Sequence, residues 1–490
     1  MIVYTLGLLL VFNGVFMLFP TFLSWFLAEP ITIELIIAML IIFLVGFGLM
    51  FFTRNHDPEI DKKEGYLIVT LGWLSMAFSG TLPYIVTGLI PSFADAFFET
   101  MSGFTTTGAT ILNDIERLPQ SILLWRSLTH WIGGMGIIVL TVAILPLFGI
   151  GGMQLFAAES PGPSSDKLKP RIADTAKRLW LIYVGFTALE TVLLKIAGMK
   201  WLDAINHSMS NLATGGFSTK NDSLAFWNDQ PAIHYIIIFF MFLGGANFVI
   251  SYFAIKGNFF KIKNNEEFKW YAFFIGVFAL ITSLLIFFQV DLSQNPINHP
   301  QVISKLESAI RHGLFQVLAI ITTTGFVTSD YTSWMPFLTL LFFSFYFLGG
   351  SAGSTSGGVK VVRHIVMIKN AFYEFKRTLH PTAIIPVRYQ GRGVDQKIIF
   401  NILGFFILYA LSFIIGTIVL AADGLGFETA IGGAASCLGN VGPAFGELGP
   451  VNNFGGLPSF SKFWMTFLML IGRLELFTVL ILFSPFFWRN

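Results

Sequence analysis

Long apolar runs separated by short polar connections make up nearly the whole chain. Two such runs come first, at about 2–27 and 31–53, and a longer pattern then occurs four times. Each of these four repeats contains a long apolar run, a short amphipathic stretch, a short segment ending in glycine and a second long apolar run. The first runs lie at about 66–90, 176–199, 268–291 and 396–421, and the second runs at about 124–148, 231–256, 334–369 and 459–488. A helix rises about 1.5 Å per residue, so every run can cross a hydrocarbon core about 30 Å thick.

The pattern predicts an all-α polytopic membrane protein in which two helices precede four helix–pore-loop–helix repeats around one pore. We name the first run of each repeat its leading helix and the second run its trailing helix. The predicted units are an N-terminal two-helix segment at 1–65 and repeats at 66–150, 151–257, 258–378 and 379–490.

A short segment ending in glycine lies between the two runs of every repeat. The four glycine segments are Thr106-Thr107-Gly108, Ala213-Thr214-Gly215, Thr323-Thr324-Gly325 and Asn440-Val441-Gly442. Glycine adopts backbone angles that other residues resist, so successive carbonyl groups can turn toward one axis. Four such strands would replace the hydration shell of a cation with carbonyl oxygens, as in potassium channels. The segments are therefore the candidate binding site for a potassium ion.

Close helix packing is the competing interpretation, because Thr-Gly pairs also occur where transmembrane helices approach each other through small residues. A single copy would favour packing. Four copies at nearly even spacing, each after a short amphipathic stretch and before a long run, favour a ring. The fourth segment is the most divergent, so any four-fold symmetry is imperfect.

The amphipathic stretches before the segments are too short to cross a membrane. Each has an acidic residue near its start, and these residues are Asp95, Asp203, Glu307 and Glu428. We predict half-helices that enter from outside and point their C-termini, the negative ends of their dipoles, at the middle of the membrane. The wider spacing in repeat 3 predicts a longer half-helix there. For the acidic residues themselves, the favoured interpretation is that they are plain helix caps without a part in conduction.

Every trailing run contains a glycine signature. The signatures are Gly133-Gly134, Gly244-Gly245, Gly349-Gly350 and Gly472-Arg473. Arg473 thus occupies a register that is glycine in the other repeats, and a charge in mid-helix is costly unless it faces a polar interior. The alternative is a structural ion pair, but Glu475, the nearest acidic residue, is two positions away and points to another side of a helix. We therefore predict that Arg473 faces the pore below the segments as a barrier to cations.

Residues 349–358 set the third repeat apart, since all ten are small. A continuous helix is disfavoured here, because each glycine costs about 1 kcal/mol relative to alanine. The stretch is either a helix-packing patch or a flexible loop that obstructs the pore, and its length and its level near Arg473 favour the loop. The glycines of this pore-obstructing loop, the candidate gate, are Gly349, Gly350, Gly353, Gly357 and Gly358. A phosphate-binding loop is disfavoured, because no GK[ST] ending follows.

Composition and charge narrow the class further. The chain of 490 residues is 54% hydrophobic and only 12% charged, which excludes a soluble protein of this length. Its one cysteine, Cys437, excludes an internal disulfide. The first run has no charged start or cleavage site, which indicates a retained helix. Lys and Arg concentrate in the loops at 54–65, 149–178, 256–269 and 360–397, so these are predicted to be cytoplasmic and the glycine segments to open to the periplasm.

At these residues the chain resembles the Trk/Ktr/HKT superfamily of potassium transporters, and is most similar to its bacterial TrkH-type members. The resemblance covers essentially the whole chain. Beyond the glycine segments it includes His130–Gly136, the stretch from Glu159 to Ala173, Gly349–Lys360 and Gly472–Glu475.

This resemblance implies a selectivity position at Gly108, Gly215, Gly325 and Gly442, and glycine at all four matches the potassium-selective pattern. It also implies an intramembrane gate made by residues 349–358 and Arg473. Family members form homodimers on a cytosolic ring of RCK-type (TrkA-like) nucleotide-binding regulatory subunits. The basic loop 360–397 is then either a docking surface for that subunit or an ordinary positive-inside loop.

These observations lead to gated potassium uptake across the bacterial inner membrane by a multi-pass protein. A potassium symporter coupled to protons or sodium is the alternative, with Glu190 and Glu475 as candidate coupling acids. An enzyme is disfavoured, because no metal-ligand spacing and no nucleophile–base pair is present in the sequence. We expect no cofactor apart from the transported potassium ion, and the lipid bilayer rather than nucleic acid as a partner.

Overall fold

The computed structural model describes residues 1–55, 62–136 and 172–489. Six helices in this part of the chain are long and apolar enough to cross a membrane, and up to eight if each of two bent helix pairs counts as one span. The first two are Ile2–Phe26 and Thr32–Phe52, which pack against each other. Many of their large apolar side chains are exposed, as expected for a lipid-facing surface.

The leading helices follow the predicted runs closely. They are Lys62–Gly80, which continues as Leu82–Val86, then Ile172–Ile196, Glu266–Gln289 and Gln396–Ala422. Side-chain caps fix two of their starts, since the Asn265 side chain accepts from the Phe268 N–H and the Asp395 side chain from the Lys397 N–H.

Four short helices precede the glycine segments, as the sequence predicts. We name them the half-helices, and they are Phe93–Phe104, Trp201–Leu212, Lys305–Ile321 and Phe427–Gly439. The third has 17 residues against 12, 12 and 13 in the others, which confirms the prediction of a longer third element. Each has its acidic residue in the first turn, and in the first and third a serine, Ser92 or Ser304, supplies the N-cap.

The trailing helices differ from one another. The first is Gln120–Trp131, followed by a π-helical turn at Ile132–Gly136. The second and fourth bend by 112° and 111°, between Pro231–Gly245 and Phe248–Ile255 and between Ser459–Arg473 and the turns at Phe477–Phe483. In the third, residues 346–360 separate Pro336–Phe345 from Val361–Leu379. The bends in repeats 2 and 4 were not predicted from the sequence, whereas the predicted break in repeat 3 is present.

Backbone geometry explains the two unexpected bends. After Gly245, Ala246 is extended and Asn247 restarts the helix, with its side chain accepting from the Val249 N–H. In repeat 4, Glu475 and Leu476 both have positive φ, at 57° and 56°, which ends an α-helix. Neither the helix restart nor the positive φ angles can be recognised from the apolar pattern of the sequence.

Short elements complete the described chain. A helix covers Phe259–Asn264, a two-residue strand at Arg388–Tyr389 pairs antiparallel with Arg392–Gly393, and Pro485–Trp488 forms the last helical turn. Single 3₁₀ turns lie at Ser223–Trp227, Leu292–Gln294, Tyr331–Ser333 and Gly446–Leu448. The motif from Glu159 to Ala173 lies almost entirely outside the described residues, as do most of the loop at 149–178 and the end of the run at 124–148.

Candidate ion site and barrier

All four half-helices end in the same backbone conformation. The residues that follow have left-handed φ angles of 51° to 57°, and they are Thr106, Thr214, Thr323 and Asn440. The N–H of each donates to the carbonyl three residues earlier, for example Thr106 to Gly103 at 3.0 Å. Two residues later a glycine with positive φ follows, between 74° and 103°, and these glycines are Gly108, Gly216, Gly325 and Gly442. We name them the ring glycines.

This conformation corrects the register of the second glycine segment. The sequence aligned Gly215 with the other glycines, but the ring glycine of repeat 2 is Gly216, one residue later. Gly215 instead matches Thr107, since the N–H of each donates to the carbonyl five residues earlier, Ser210 and Ser102 respectively. The consecutive glycines made the sequence alignment ambiguous, and only the backbone angles separate them. We name Thr107, Gly215, Thr324 and Val441 the middle positions.

The segments contact one another in a closed ring. A Cβ placed on Gly108 would lie 2.0 Å from the Gly215 carbonyl oxygen, and Gly216 has the same relation to Thr324 at 2.0 Å. Gly325 approaches the Val441 oxygen at 2.0 Å, and Gly442 approaches the Thr107 oxygen at 2.6 Å. Each ring glycine thus lies against the middle-position carbonyl of the next repeat, in the order 1, 2, 3, 4 and back to 1. Only glycine fits at the ring positions, because φ is positive there and because a Cβ would collide with the neighbouring carbonyl oxygen.

Buried polar side chains hold three of the segments. The hydroxyls of Thr105 and Thr107 are 2.8 Å apart, and those of Thr322 and Thr324 are 2.7 Å apart. In repeat 4 the Asn440 amide donates to the Thr107 hydroxyl at 3.0 Å and to the Met469 carbonyl at 2.9 Å. The contact with Thr107 joins repeats 4 and 1, so the fourth segment is part of the ring despite its different sequence.

The chemistry of this ring suits a dehydrated monovalent cation. Its groups are backbone carbonyls and hydroxyls, which are hard and uncharged ligands. Within the described residues no group of three or more His, Cys, Asp or Glu side chains is placed to hold a metal ion. The C-terminal ends of four half-helices, each carrying partial negative charge, adjoin the ring.

The glycine signatures of repeats 1, 2 and 4 lie directly against the ends of the half-helices. A Cβ on Gly133 would lie 1.9 Å from the Phe104 carbonyl oxygen, and one on Gly472 would lie 2.1 Å from that of Leu438. In repeat 2 a Cβ on Gly245 would lie 2.5 Å from the Thr322 side chain of repeat 3. In repeats 1, 2 and 4 these glycines therefore allow the trailing helix to approach the segments closely, whereas Gly349 and Gly350 of repeat 3 lie against the Gly357 and Gly245 carbonyls.

The loop 346–360 of repeat 3 folds back on itself. The Gly349 N–H donates to the Val359 carbonyl at 2.9 Å, and the Val361 N–H donates to the Gly350 carbonyl at 3.1 Å. Its tip contacts the bend of repeat 2, where the Ser351 N–H donates to the Gly245 carbonyl at 2.9 Å.

The same loop also reaches the glycine segments. The Gly357 N–H donates to the Thr323 hydroxyl at 2.7 Å, and the Thr355 hydroxyl donates to the Leu212 carbonyl at 2.9 Å. A Cβ on Gly357 would lie 2.9 Å from the Gly439 carbonyl oxygen. The loop thus contacts repeats 2, 3 and 4 immediately beside the ring.

Arg473 connects this loop to repeat 1. Its guanidinium donates to the Thr355 carbonyl at 2.8 Å and to the Gly133 and Gly134 carbonyls at 2.5 and 2.7 Å. Glu475, the nearest acidic residue in sequence, forms an ion pair with Arg363. Arg473 and the glycine-rich loop, which the sequence predicted to lie at one level, are therefore in direct contact.

A buried ion pair behind the first segment was missed from the sequence. Glu99 and Arg126 are 2.8 Å apart with side-chain exposures of 0% and 1%. Glu99 also accepts from the Ile111 N–H at 3.0 Å, and Arg126 donates to the Ser218 carbonyl at 3.1 Å, which joins repeats 1 and 2. The available signal was an acid inside an apolar half-helix and a base inside the following trailing run.

These features define a helical, multi-span membrane protein with a ring of glycine segments. The model of the TrkH family, described as "Cation transport protein", matches residues 32–490. The Trk system potassium uptake protein TrkH of Escherichia coli strain K12 is 40% identical, over 91% of this chain and 90% of that relative. TrkH of Vibrio parahaemolyticus is 37% identical over 100% and 99% of the two chains.

A solved structure agrees with these sequence relatives. The crystal structure of the potassium transporter TrkH from Vibrio parahaemolyticus superposes with a TM-score of 0.86 at 36% identity, covering 100% of this chain and 99% of that one. The present chain belongs to the TrkH family, a family of transporters and not of enzymes.

Proposed function

We propose that this protein takes up potassium across the bacterial inner membrane through a selective pore formed by the four glycine segments. The observation that carries the proposal is the closed ring in which every ring glycine meets a carbonyl of the next repeat. The relatives named as potassium uptake proteins support the choice of cation. The segments would face the periplasm, as the distribution of Lys and Arg predicts.

The ion would be held by the backbone of the segments. The proposed ligand-bearing residues are Thr106, Thr107, Gly108, Ala213, Thr214, Gly215, Thr323, Thr324, Gly325, Asn440, Val441 and Gly442, to which the corrected register adds Gly216. The middle-position residues supply the carbonyls that meet the ring glycines.

The barrier would be formed by the glycine-rich loop together with Arg473. The positive charge of Arg473 would repel cations at the level of the loop. Its hydrogen bonds to the Thr355 and Gly133 carbonyls connect repeat 3 with repeat 1. Opening would require those hydrogen bonds to break.

We also propose a homodimer regulated by a cytosolic RCK-type nucleotide-binding subunit. The helix Val361–Leu379, which follows the loop, supports a docking surface in 360–397. It exposes Phe372, Phe375 and Leu379 at 63%, 70% and 75% beside basic residues. Because this helix begins where the loop ends, a protein bound to it would act directly on the barrier.

Coupled symport is the second candidate, and Glu190 is the observation in its favour. This carboxylate is buried in the leading helix of repeat 2, and one of its oxygens has no hydrogen-bond partner within the described residues. The other accepts from the Asn211 amide of the half-helix at 2.6 Å. Glu475 is a weaker candidate, since Arg363 neutralises it.

Uptake of radioactive rubidium into vesicles that contain the purified protein tests both candidates. We expect saturable uptake that follows the rubidium gradient alone when sodium and proton gradients are varied separately. If uptake requires the sodium or the proton gradient, and uptake by the Glu190→Gln variant no longer requires it, the protein is a symporter instead. Absence of rubidium uptake in any condition would overturn the proposal itself.

A further inference from the structure

The second segment lacks a side chain that its neighbours use. Middle positions 1 and 3 are threonines, Thr107 and Thr324, whose hydroxyls bond to the threonines two residues earlier. Position 4 is Val441, whereas position 2 is Gly215. The residue two before it is Ala213, so repeat 2 has neither hydroxyl of that pair.

An imidazole from another repeat fills the vacant space. A Cβ on Gly215 would lie 2.3 Å from Nδ1 and 2.5 Å from Cγ of His130, which belongs to the trailing helix of repeat 1. His130 is fully buried, and its Nδ1 is 2.8 Å from the Ser210 hydroxyl. The carbonyl of Ser210 accepts the Gly215 N–H at 2.8 Å, so the imidazole contacts the turn that sets this segment.

The residue after the ring glycine of repeat 2 is fixed by the same imidazole. The Phe217 ring stacks on His130 with centroids 3.9 Å apart and an interplanar angle of 17°. The Arg126 guanidinium lies 4.1 Å from the centroid of Phe217, and Glu99 balances its charge. Both neighbours of Gly216 are thus held by side chains of repeat 1.

We propose that His130 is a positioning residue that supplies, from repeat 1, the middle-position side chain that repeat 2 lacks. This inference rests on the proposed function. The imidazole fixes the peptide of Gly215, whose carbonyl meets Gly108 in the ring, and so maintains the preference of the site for potassium over sodium. It acts on the ion only through that backbone.

A double-mutant cycle of His130→Ala and Gly215→Thr tests the proposal, with rubidium and sodium uptake measured on the same vesicles. We expect His130→Ala to lower the rubidium-to-sodium ratio about tenfold, because it removes the hydrogen bond and the stack. Gly215→Thr alone should reduce rubidium uptake at least about tenfold, since the new side chain collides with the imidazole.

The double variant should recover most of the wild-type ratio and uptake. The threonine then has room, φ at position 215 is not in the left-handed region, and the same residue type stands at Thr107 and Thr324. The informative result is a rubidium-to-sodium ratio in the double variant above that of His130→Ala alone, because relief of the collision by itself would restore uptake but not selectivity. His234→Ala is the matched control, because His234 is a buried histidine that contacts Leu224 and Arg311 rather than a glycine segment. It should not rescue Gly215→Thr.

Two results would overturn the inference: a wild-type ratio in His130→Ala, or a double variant no better than the two single effects combined. If His130→Ala does not yield a monodisperse protein, His130→Ser frees the same space and takes its place in the cycle with the same expected and opposing results. A wild-type chain without rubidium uptake would overturn the proposed function and this inference with it. A selective wild type with an equally selective His130→Ala would overturn the inference alone.

Discussion

The ring of glycine segments and the layer of trailing-helix breaks next to it follow different rules. In the ring, four different sequences share one backbone, with left-handed φ angles within a few degrees and a ring glycine two residues later. In the adjacent layer the four repeats share a glycine signature but not a structure. They show a π-helical turn, a bend of 112°, a folded loop and a bend of 111° at an arginine.

Under the proposed function, this difference separates two physical tasks. To coordinate a cation with carbonyls, all four segments need the same backbone conformation. Segments with different side chains can adopt that conformation. A barrier needs only one charge and one obstruction, so a single repeat can provide each. Arg473 of repeat 4 and the loop of repeat 3 meet at the Thr355 carbonyl, so the asymmetric layer forms one connected unit.

The largest effect is expected from a side chain in the ring. Gly108→Ser and Gly325→Ser should each lower the rubidium-to-sodium uptake ratio by more than about tenfold, because the residue has positive φ and its Cβ meets a neighbouring carbonyl. Gly276→Ser is the matched control, since a Cβ there has nothing within 4 Å. Retained selectivity in both ring variants would refute the ring as the selective site.

The next effect concerns the barrier. Arg473→Ala should raise rubidium flux by about tenfold without a change in the selectivity ratio, because a charge barrier of about 1.4 kcal/mol is removed while the ring is untouched. Arg473→Lys, which keeps the charge but not the forked hydrogen bonds, should raise it less. Unchanged or lower flux in a well-folded Arg473→Ala protein would contradict the barrier role.

A smaller increase in flux is expected from the loop. Gly357→Ala places a methyl group against the Gly439 carbonyl and should displace the loop from the segments, raising flux about threefold. Combined with Arg473→Ala it should add little, because the two act through one unit joined at Thr355. Multiplicative effects in the double variant would show that the loop and the arginine act independently.

The smallest effect is expected at the outer ends of the half-helices. Glu428→Gln should change rubidium uptake by less than about twofold, since an exposed charge on a helix dipole contributes only about 0.3–1 kcal/mol and acts locally. Asp95→Asn should instead lower the thermal unfolding temperature, because it removes the ion pair between Asp95 and Lys462 at 2.5 Å. A tenfold fall in uptake for Glu428→Gln would mean that these acids take part in conduction.

Sequence reasoning succeeded where a pattern has a local cause. The short half-helices, the longer third one and the break at 349–358 follow from length, first-turn acids and glycine content, and all are present. It failed at Gly215, because two consecutive glycines carry no information on which one has positive φ. It also failed at the bends of repeats 2 and 4, where apolar composition concealed the helix restart at Asn247 and the positive φ angles after Arg473.

The sequence by itself determined the membrane-spanning class, the number and order of the repeats and the residue types available to a cation. These depend on hydrophobicity and chain length, which are properties of single segments. Only the tertiary structure decided which glycine of repeat 2 meets its neighbour, that Arg473 contacts the loop, and that His130 occupies the space beside Gly215. Each of these is a contact between repeats that are far apart in sequence, and its geometry depends on how the half-helices and trailing helices pack together.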